Sequence, residues 1–134
     1  MVTTDWIVVR GGGDIATGAI QKLHRSGFKI IVLEIPEPTA IRRLVAVSEA
    51  LYDGKITIED LTAVKVKDVA EAVKVHEAGN VPVMVDPQCE SLKILKPAVL
   101  ADIIIAKRNT GTDRTMAPGT IGVGPGFTAG EDVD

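Results

Sequence analysis

A glycine-rich turn between a strand and a helix constrains this chain more than any other feature. The run RGGGDIATG, at residues 10–18, follows an apolar strand candidate at 6–9 and opens a segment with helical spacing of apolar side chains. Glycines permit positive φ angles and close approach of the backbone to a ligand, and the N–H groups at a helix start attract anions. The turn therefore predicts a phosphate site.

The surrounding segments match the context that a dinucleotide fingerprint requires. Gly11-x-Gly13-x-x-Ala16 is the small-residue form of that fingerprint, and the helix candidate leads to a buried-strand candidate at 30–33 that ends in Glu34. An acidic residue about 20 positions beyond the loop is where such folds bind a ribose hydroxyl. The alternative is a tight strand-to-helix turn with Glu34 merely solvated.

The remaining segments predict the fold class. Strand candidates at 81–85 and 102–106 are apolar without alternation, which indicates strands covered on both faces in a parallel sheet. A helix capped by Thr39 and running to residue 52, a pair of short strands within 55–66, and a helix at 68–78 capped by Asp68 lie between them. The sequence predicts one α/β domain over residues 1–134, a Rossmann-like three-layer domain with a mostly parallel sheet.

Composition excludes several classes of function. The formal net charge is −3 and only 3% of residues are aromatic, which argues against a nucleic-acid partner. No apolar run approaches the length of a membrane span and no secretory signal is apparent, so we expect no membrane partner and a cytoplasmic location. The two histidines are far apart, so no metal site is predicted.

Polar clusters follow nearly every strand candidate, and parallel strands bring such clusters to one edge of the sheet. No catalytic residue can be assigned, but a phosphate-bearing small molecule is expected at this edge. The candidate binding residues are Gly11, Gly12, Gly13, Asp14, Ala16, Thr17, Glu34, Arg42, Arg43, Asn109, Thr110, Gly111, Gly124 and Gly126.

Several of these residues have a simpler interpretation. Asp14 would cap the first helix, or would help to hold a metal bound to a phosphate, and capping is the simpler interpretation. Arg42 and Arg43 would contact a phosphate or face solvent, with solvent the more ordinary outcome. The loop at 107–112 suits an anionic ligand. Cys89 would be an ordinary loop thiol rather than a nucleophile, because no histidine is nearby to lower its pKa.

The second glycine-rich segment, at 124–130, follows a strand candidate that begins at Ile121. We expect it to share one cleft with the loop at 11–17, with Phe127 covering the apolar part of a ligand. The alternative is a frayed tail in which Phe127 only packs. A doubly wound fold normally continues into a helix at this point, so the chain is expected to be the N-terminal part of a longer protein.

Three separated motifs together resemble one known family. The segments VVRGGGDIATG (8–18), LE with PTAIRR (33–43) and MAP with GVGPGFTAG (116–130) closely resemble the selenium-dependent molybdenum hydroxylase system proteins, which are related to the maturation factors of xanthine dehydrogenase. The resemblance covers essentially the whole chain. Family members run on well beyond the second glycine-rich loop, and Cys89 is not part of the family pattern.

The resemblance implies an accessory role in making or inserting the molybdenum cofactor, with a molybdenum hydroxylase or other maturation proteins as partners. The ligand would then be a nucleotide, such as NAD(P), or a molybdopterin-type pterin phosphate. One alternative is an NAD(P)-dependent oxidoreductase, and another is a protein-interaction module without a ligand. Whether the protein is an enzyme, and whether it forms a homo-oligomer, stay open at this point.

Overall fold

The computed structural model describes residues 5–38, 43–105 and 109–134. The strands are β1 (Trp6–Arg10), β2 (Lys29–Glu34), β3 (Lys55–Ile58), β4 (Leu61–Val66), β5 (Val81–Val85), β6 (Val99–Asp102) and β7 (Gly119–Gly122). The helices are α1 (Asp14–Arg25), α2 (Ala50–Asp53), α3 (Val69–Glu77) and α4 (Leu92–Leu95), and two 3₁₀ turns span Arg43–Val45 and Val47–Glu49.

Within these residues the strands form one sheet in the order β3-β4-β5-β2-β1-β6-β7. Neighbouring strands are parallel throughout, except for the antiparallel hairpin of β3 and β4 at one edge. Core clusters lie on both faces of the sheet. The prediction of an α/β fold with a mostly parallel sheet is confirmed, and the layout is consistent with the Rossmann-like interpretation.

Strand β1 shows why its sequence is apolar without alternation. Val9 belongs to the core cluster that contains Ile20 of α1, whereas Val8 belongs to the cluster on the opposite face, which contains Leu95 of α4. Both valines are fully buried. Burial of one such side chain contributes roughly 1.5–3 kcal/mol to the free energy of unfolding, so the burial of both faces of β1 stabilises the sheet.

The chain changes its direction of travel across the sheet at β1. The first crossover places β2 on one side of β1, whereas the crossover that contains α4 places β6 on the other side, with Arg10 opposite Asp102 in register. Open parallel sheets bind ligands beyond the carboxyl ends of their strands at such a reversal. The topology therefore points to the loops that follow β1 and β6.

The single helix predicted over 39–52 is wrong for the residues that can be compared. Thr39 and Ile41 lie outside the described residues. From Arg43 onward the chain forms two 3₁₀ turns, which the extended residue Ala46 separates, and the second turn leads directly into α2. The amide of Val47 donates to Thr17 Oγ1 at 3.0 Å, and that of Ser48 donates to the Gly12 carbonyl at 2.9 Å. These contacts with the glycine-rich turn replace the hydrogen bonds of a continuous helix.

The strand predicted at 102–106 is also misplaced. Strand β6 ends at Asp102, and the amide of Ile103 makes the last contact, a 2.9 Å hydrogen bond to the Arg10 carbonyl. Ile104 then donates to Asp102 Oδ1 and Ile105 has a φ of +60°. The three isoleucines therefore leave the sheet and stand at its carboxyl edge.

Other predicted elements are confirmed with small shifts. Helix α3 is capped by Asp68, which accepts a 2.8 Å hydrogen bond from the Glu71 amide, while Glu71 accepts one from the Lys67 amide. The two bonds satisfy backbone amides at the start of α3 as a capping box does, except that the second amide belongs to Lys67, one residue before the cap. The last strand candidate is present as β7, and within the described residues no helix is long and apolar enough to cross a membrane.

Candidate functional site

A cavity of about 630 Å³ lies at the carboxyl edge of the sheet, where the polar clusters are expected to converge. It is within the usual size range of small-molecule sites. The residues that line it are Arg10, Gly11, Gly13, Asp14, Ile15, Ala16, Leu33, Glu34, Ile35, Pro38, Asp86, Pro87, Gln88, Ile103, Ile104, Ile105 and Thr110.

The three consecutive glycines have different structural roles. Gly11 has a φ of +104°, and a Cβ atom there would lie 3.0 Å from the Ile104 amide nitrogen. A Cβ atom on Gly12 would lie 3.1–3.3 Å from the side chains of Val32 and Val47 and the Ser48 amide. A Cβ atom on Gly13 would meet no described atom within 4 Å. Gly11 and Gly12 are thus required by packing, whereas Gly13, which lines the cavity, has open space around the position of an added Cβ atom.

Helix α1 begins directly at this open space. Gly13 is its N-cap residue and makes no side-chain cap, so the interpretation of Asp14 as the cap is wrong. Asp14 occupies the first helical position instead, one residue too late for the extended backbone that a cap needs. Gly13, Asp14, Ile15 and Ala16 all line the cavity, which places the positive end of the helix dipole against it.

Ile15 and Thr17 illustrate how α1 divides its side chains. The helical spacing groups Ile15 with the apolar face, but Ile15 is 61% exposed and lines the cavity. Thr17 is buried; its hydroxyl donates to the Gly13 carbonyl at 2.7 Å and accepts the Val47 amide. Thr17 therefore stabilises the glycine-rich turn through hydrogen bonds on its buried side, and it does not line the cavity.

Glu34 lies beside the glycine-rich turn. Its Oε2 accepts a 2.9 Å hydrogen bond from the Gly12 amide, and its Oε1 accepts one of the same length from the Ile35 amide. Each carboxylate oxygen has a further lone pair, and Glu34 lines the cavity. A fixed acceptor at the end of β2 is the geometry that recognition of a ribose hydroxyl needs, and that contact remains a prediction.

The loop after β6 contributes less than the sequence indicates. Asn109 Oδ1 accepts the amides of Gly111 and Thr112, and its Nδ2 donates to the Thr112 carbonyl at 2.6 Å. Asn109 therefore shapes its own loop, and of the candidate residues 109–111 only Thr110 lines the cavity. Arg42, the side chain of Arg43, and residues 107 and 108 lie outside the described residues.

The second glycine-rich loop lies at the same edge of the sheet, because β7 is parallel to β1 and β6. It does not line the cavity. Gly124 has a φ of +124°, and a Cβ atom there would lie 3.0 Å from Ile105 Cα. The ring of Phe127 packs over Gly122, where it leaves no room for a Cβ atom. The loop supports the Ile103–Ile105 wall from behind, and binding by Gly124 and Gly126 remains a prediction.

Cys89 has the environment of an inert thiol. It is buried, and burial raises the pKa of its thiol above the usual range, although the positive charge of Arg10 opposes this shift. Asp86 nearby is engaged by the amides of Glu90 and Ser91 and by the Ser91 hydroxyl. In the part of the chain that the structure describes, no three His, Cys, Asp or Glu side chains are grouped to hold a metal ion.

Arg10 and Asp102 are the functional candidates that sequence reasoning missed. Both are buried polar residues at the last positions of otherwise apolar strands, and Arg10 lines the cavity. Their signal was present in the sequence: a charged residue closes the apolar runs 6–10 and 99–102. A charged residue is seldom fully buried without a partner, so two such strand ends in neighbouring strands indicate a pair.

The chain is 52% identical over 126 residues to a protein of Escherichia coli (strain K12) named "Uncharacterized protein YqeB". The match covers 94% of this chain and 23% of YqeB, so the chain spans less than a quarter of the length of this curated relative. The similarity indicates that this chain is homologous to one segment of YqeB, and it carries no information about activity. No family model matches the chain. No solved structure matches it significantly.

Proposed function

We propose that the cavity binds a phosphate-bearing small molecule, a nucleotide or a pterin phosphate, and that the protein serves as an accessory protein in the maturation of selenium-dependent molybdenum hydroxylases. The amino end of α1 beside Gly13 carries the first half of this proposal, because it opens into the cavity. A helix start carries N–H groups that need acceptors and a partial positive charge, which together favour an anion.

The apolar lining supports a ligand that is more than a bare phosphate. Ile35 and Pro38 on one side, and Ile103, Ile104 and Ile105 on the other, would face a ring system attached to the anionic group. Pockets that combine apolar walls with a few fixed polar groups are typical of cofactor sites. A purine, nicotinamide or pterin ring would meet this requirement.

The accessory role is supported by the resemblance of the three motifs at 8–18, 33–43 and 116–130. If the role is correct, cells that lack the protein will contain an inactive selenium-dependent hydroxylase, and the intact gene will restore its activity. Full hydroxylase activity in the deletion strain would remove the accessory role and leave the binding proposal in place.

An NAD(P)-dependent oxidoreductase is the second candidate, because Glu34 is fixed beside the fingerprint loop. Hydride transfer to a carbonyl needs a proton donor near the reacting atoms, and hydride removal from the corresponding alcohol needs a proton acceptor. None of the described residues that line the cavity is a histidine, lysine, tyrosine or cysteine, and the lining carboxylates of Glu34 and Asp86 already accept hydrogen bonds from backbone amides. We therefore expect no NAD(P)H-dependent turnover by the isolated chain, and observed turnover would favour this candidate.

Binding is tested with one glycine substitution and a matched control. Gly13→Val adds a branched side chain to open space at the cavity, whereas Gly18→Val adds the same side chain to the exposed surface of α1 one turn later. Native mass spectrometry of the wild-type protein would identify a co-purified nucleotide or pterin, and calorimetry would compare its affinity for the three proteins. Equal affinity of a folded Gly13→Val variant would refute binding at this loop.

A further inference from the structure

The side chain of Arg10 donates hydrogen bonds to two separate loops at the cavity. It is the last residue of β1 and is 8% exposed. Its Nη2 donates to the carbonyl of Pro87 after β5 and to that of Thr110 after β6, and its Nη1 donates to the Thr112 hydroxyl, each at 2.9 Å. One guanidinium group thus joins two loops that are neighbours in neither sequence nor sheet order.

Asp102 completes the cluster and extends it to a third lining segment. Its Oδ2 lies 3.8 Å from Arg10 Nη1, and the Thr112 hydroxyl bridges the two by donating to Oδ2 at 2.7 Å. Its Oδ1 accepts the amide of Ile104 at 3.1 Å. Because Asp102 is 1% exposed and Arg10 is 8% exposed, this carboxylate and the guanidinium compensate each other's charge with little contact with water.

We propose that Arg10 is a positioning residue: through Thr112 and Asp102 it holds the loops at 86–91 and 109–112 and the Ile103–Ile105 segment together as one preformed wall of the cavity. Binding to a preformed wall avoids the entropy cost of ordering three loops. The planar guanidinium reaches these three acceptors from two separate nitrogens, whereas the three N–H donors of a lysine ammonium all radiate from one nitrogen on a flexible stem. The consequence for ligand affinity rests on the proposed function, whereas the consequence for loop order does not.

The test compares Arg10→Lys with Arg25→Lys. Arg25 lies on the exposed face of α1 and pairs with Glu59 and Asp60 at the hairpin, so the control makes the same chemical change away from the cavity. Amide hydrogen exchange followed by NMR gives the order of each loop. Calorimetry with NAD⁺ and with inorganic pyrophosphate gives the affinity for two defined probes.

In Arg10→Lys we expect the amides of Ile104, Gly111 and Thr112 to exchange about tenfold faster, while core amides such as those of Val8 and Val32 keep their rates. We also expect about tenfold weaker binding of whichever probe the wild-type protein binds. Arg25→Lys should change neither. Unchanged loop exchange would overturn the proposal, and so would equal acceleration at Val8 and Val32, because Arg10 would then serve overall stability alone.

Thr112→Val keeps the test decisive if Arg10→Lys does not fold. It removes the hydroxyl that bridges Arg10 and Asp102 while retaining both charges and the β-branched shape. The same local pattern of faster exchange is expected, and its absence would overturn the proposal. If the wild-type protein binds neither probe, the proposed function fails for nucleotide and diphosphate ligands, and the exchange rates alone decide the role of Arg10.

Discussion

Replacement of Gly11 by alanine should destabilise the fold more than the same change at Gly18 or Gly27, and these three variants separate the reasons. Gly18 lies on the exposed surface of α1, with no strained φ angle and no described atom within 4 Å of an added Cβ. Gly27 has a φ of +88° but equally open surroundings. Gly11 combines a φ of +104° with backbone atoms of Ile103 and Ile104 at 3.0–3.1 Å from an added Cβ.

The expected magnitudes follow from these differences. Gly18→Ala should stabilise the protein by about 1 kcal/mol, because alanine is the better helix former. Gly27→Ala should destabilise it by roughly 1–2 kcal/mol, the cost of a left-handed backbone for a residue with a Cβ atom. Gly11→Ala adds to that strain the displacement of a backbone segment, and overpacking costs roughly 1–3 kcal/mol, so the total should reach roughly 2–5 kcal/mol.

Urea unfolding followed by circular dichroism measures all three free energies of unfolding, provided that the slope of the transition is the same in each variant. The difference between Gly11→Ala and Gly27→Ala isolates the close approach of the β6 loop to the glycine-rich turn. If Gly11→Ala costs no more than Gly27→Ala, that close approach does not exist in solution, and the cavity wall at Ile103 and Ile104 is wrongly placed.

Three further outcomes can be checked with simple assays. Asp68→Ala should lower the free energy of unfolding by about 1 kcal/mol, since it removes the cap of α3, and an unchanged urea midpoint would contradict a stabilising role of this cap. Arg25 lowers the pKa of Asp60 from 3.8 to about 2, so this ion pair contributes to stability above about pH 4 and is lost as the pH falls toward 2. In Arg25→Gln an NMR titration should show the Asp60 pKa raised toward its usual value, with the smaller lowering by the Gln21 hydrogen bond retained, and a value still near 2 would assign the shift to groups other than Arg25. Cys89 should react with a disulfide reagent only slowly in the folded protein, because it is buried and the pKa of its thiol is raised; rapid modification would show that the loop opens readily.

The fold was predictable where local signals and sheet geometry agree. The glycine-rich turn, the capped helix at Asp68 and the doubly buried strands each carry a signal within a dozen residues, and the parallel arrangement follows from the lack of alternation. The segment 43–54 was not predictable in the same way. Its helical spacing is genuine, but the amides of Val47 and Ser48 bond to the glycine-rich turn, a contact between parts of the chain about 30 residues apart.

The candidate site was predictable in position and only partly in its residues. Glu34 and the turn beside Gly13 lie where the fingerprint places them, because that motif encodes a local geometry. Asn109 and Thr17 have the right chemistry for a ligand, but their polar atoms bond to nearby backbone, which composition cannot reveal. The Arg10 cluster joins residues 77 to 102 positions apart, so no local pattern could have shown which loops it would bind.

The same buried pair explains why the isoleucine run is a cavity wall rather than a strand. An apolar run such as 103–105 would ordinarily continue β6 into the core. Asp102 prevents this, because its Oδ1 accepts the amide of Ile104 and turns the chain out of the sheet one residue after the last ladder contact. Ile105 then takes a φ of +60°, which is rare for a β-branched residue. Gly124 passes close to it, and the absence of a Cβ atom on this glycine leaves room for the conformation of Ile105. Backbone strain of this kind persists only where the surrounding structure imposes it. Here the result is that Ile103–Ile105 presents three apolar side chains to the open end of α1. In this chain the carboxylate at the end of β6 therefore marks the start of the cavity wall, and the apolar residues after it do not continue the strand.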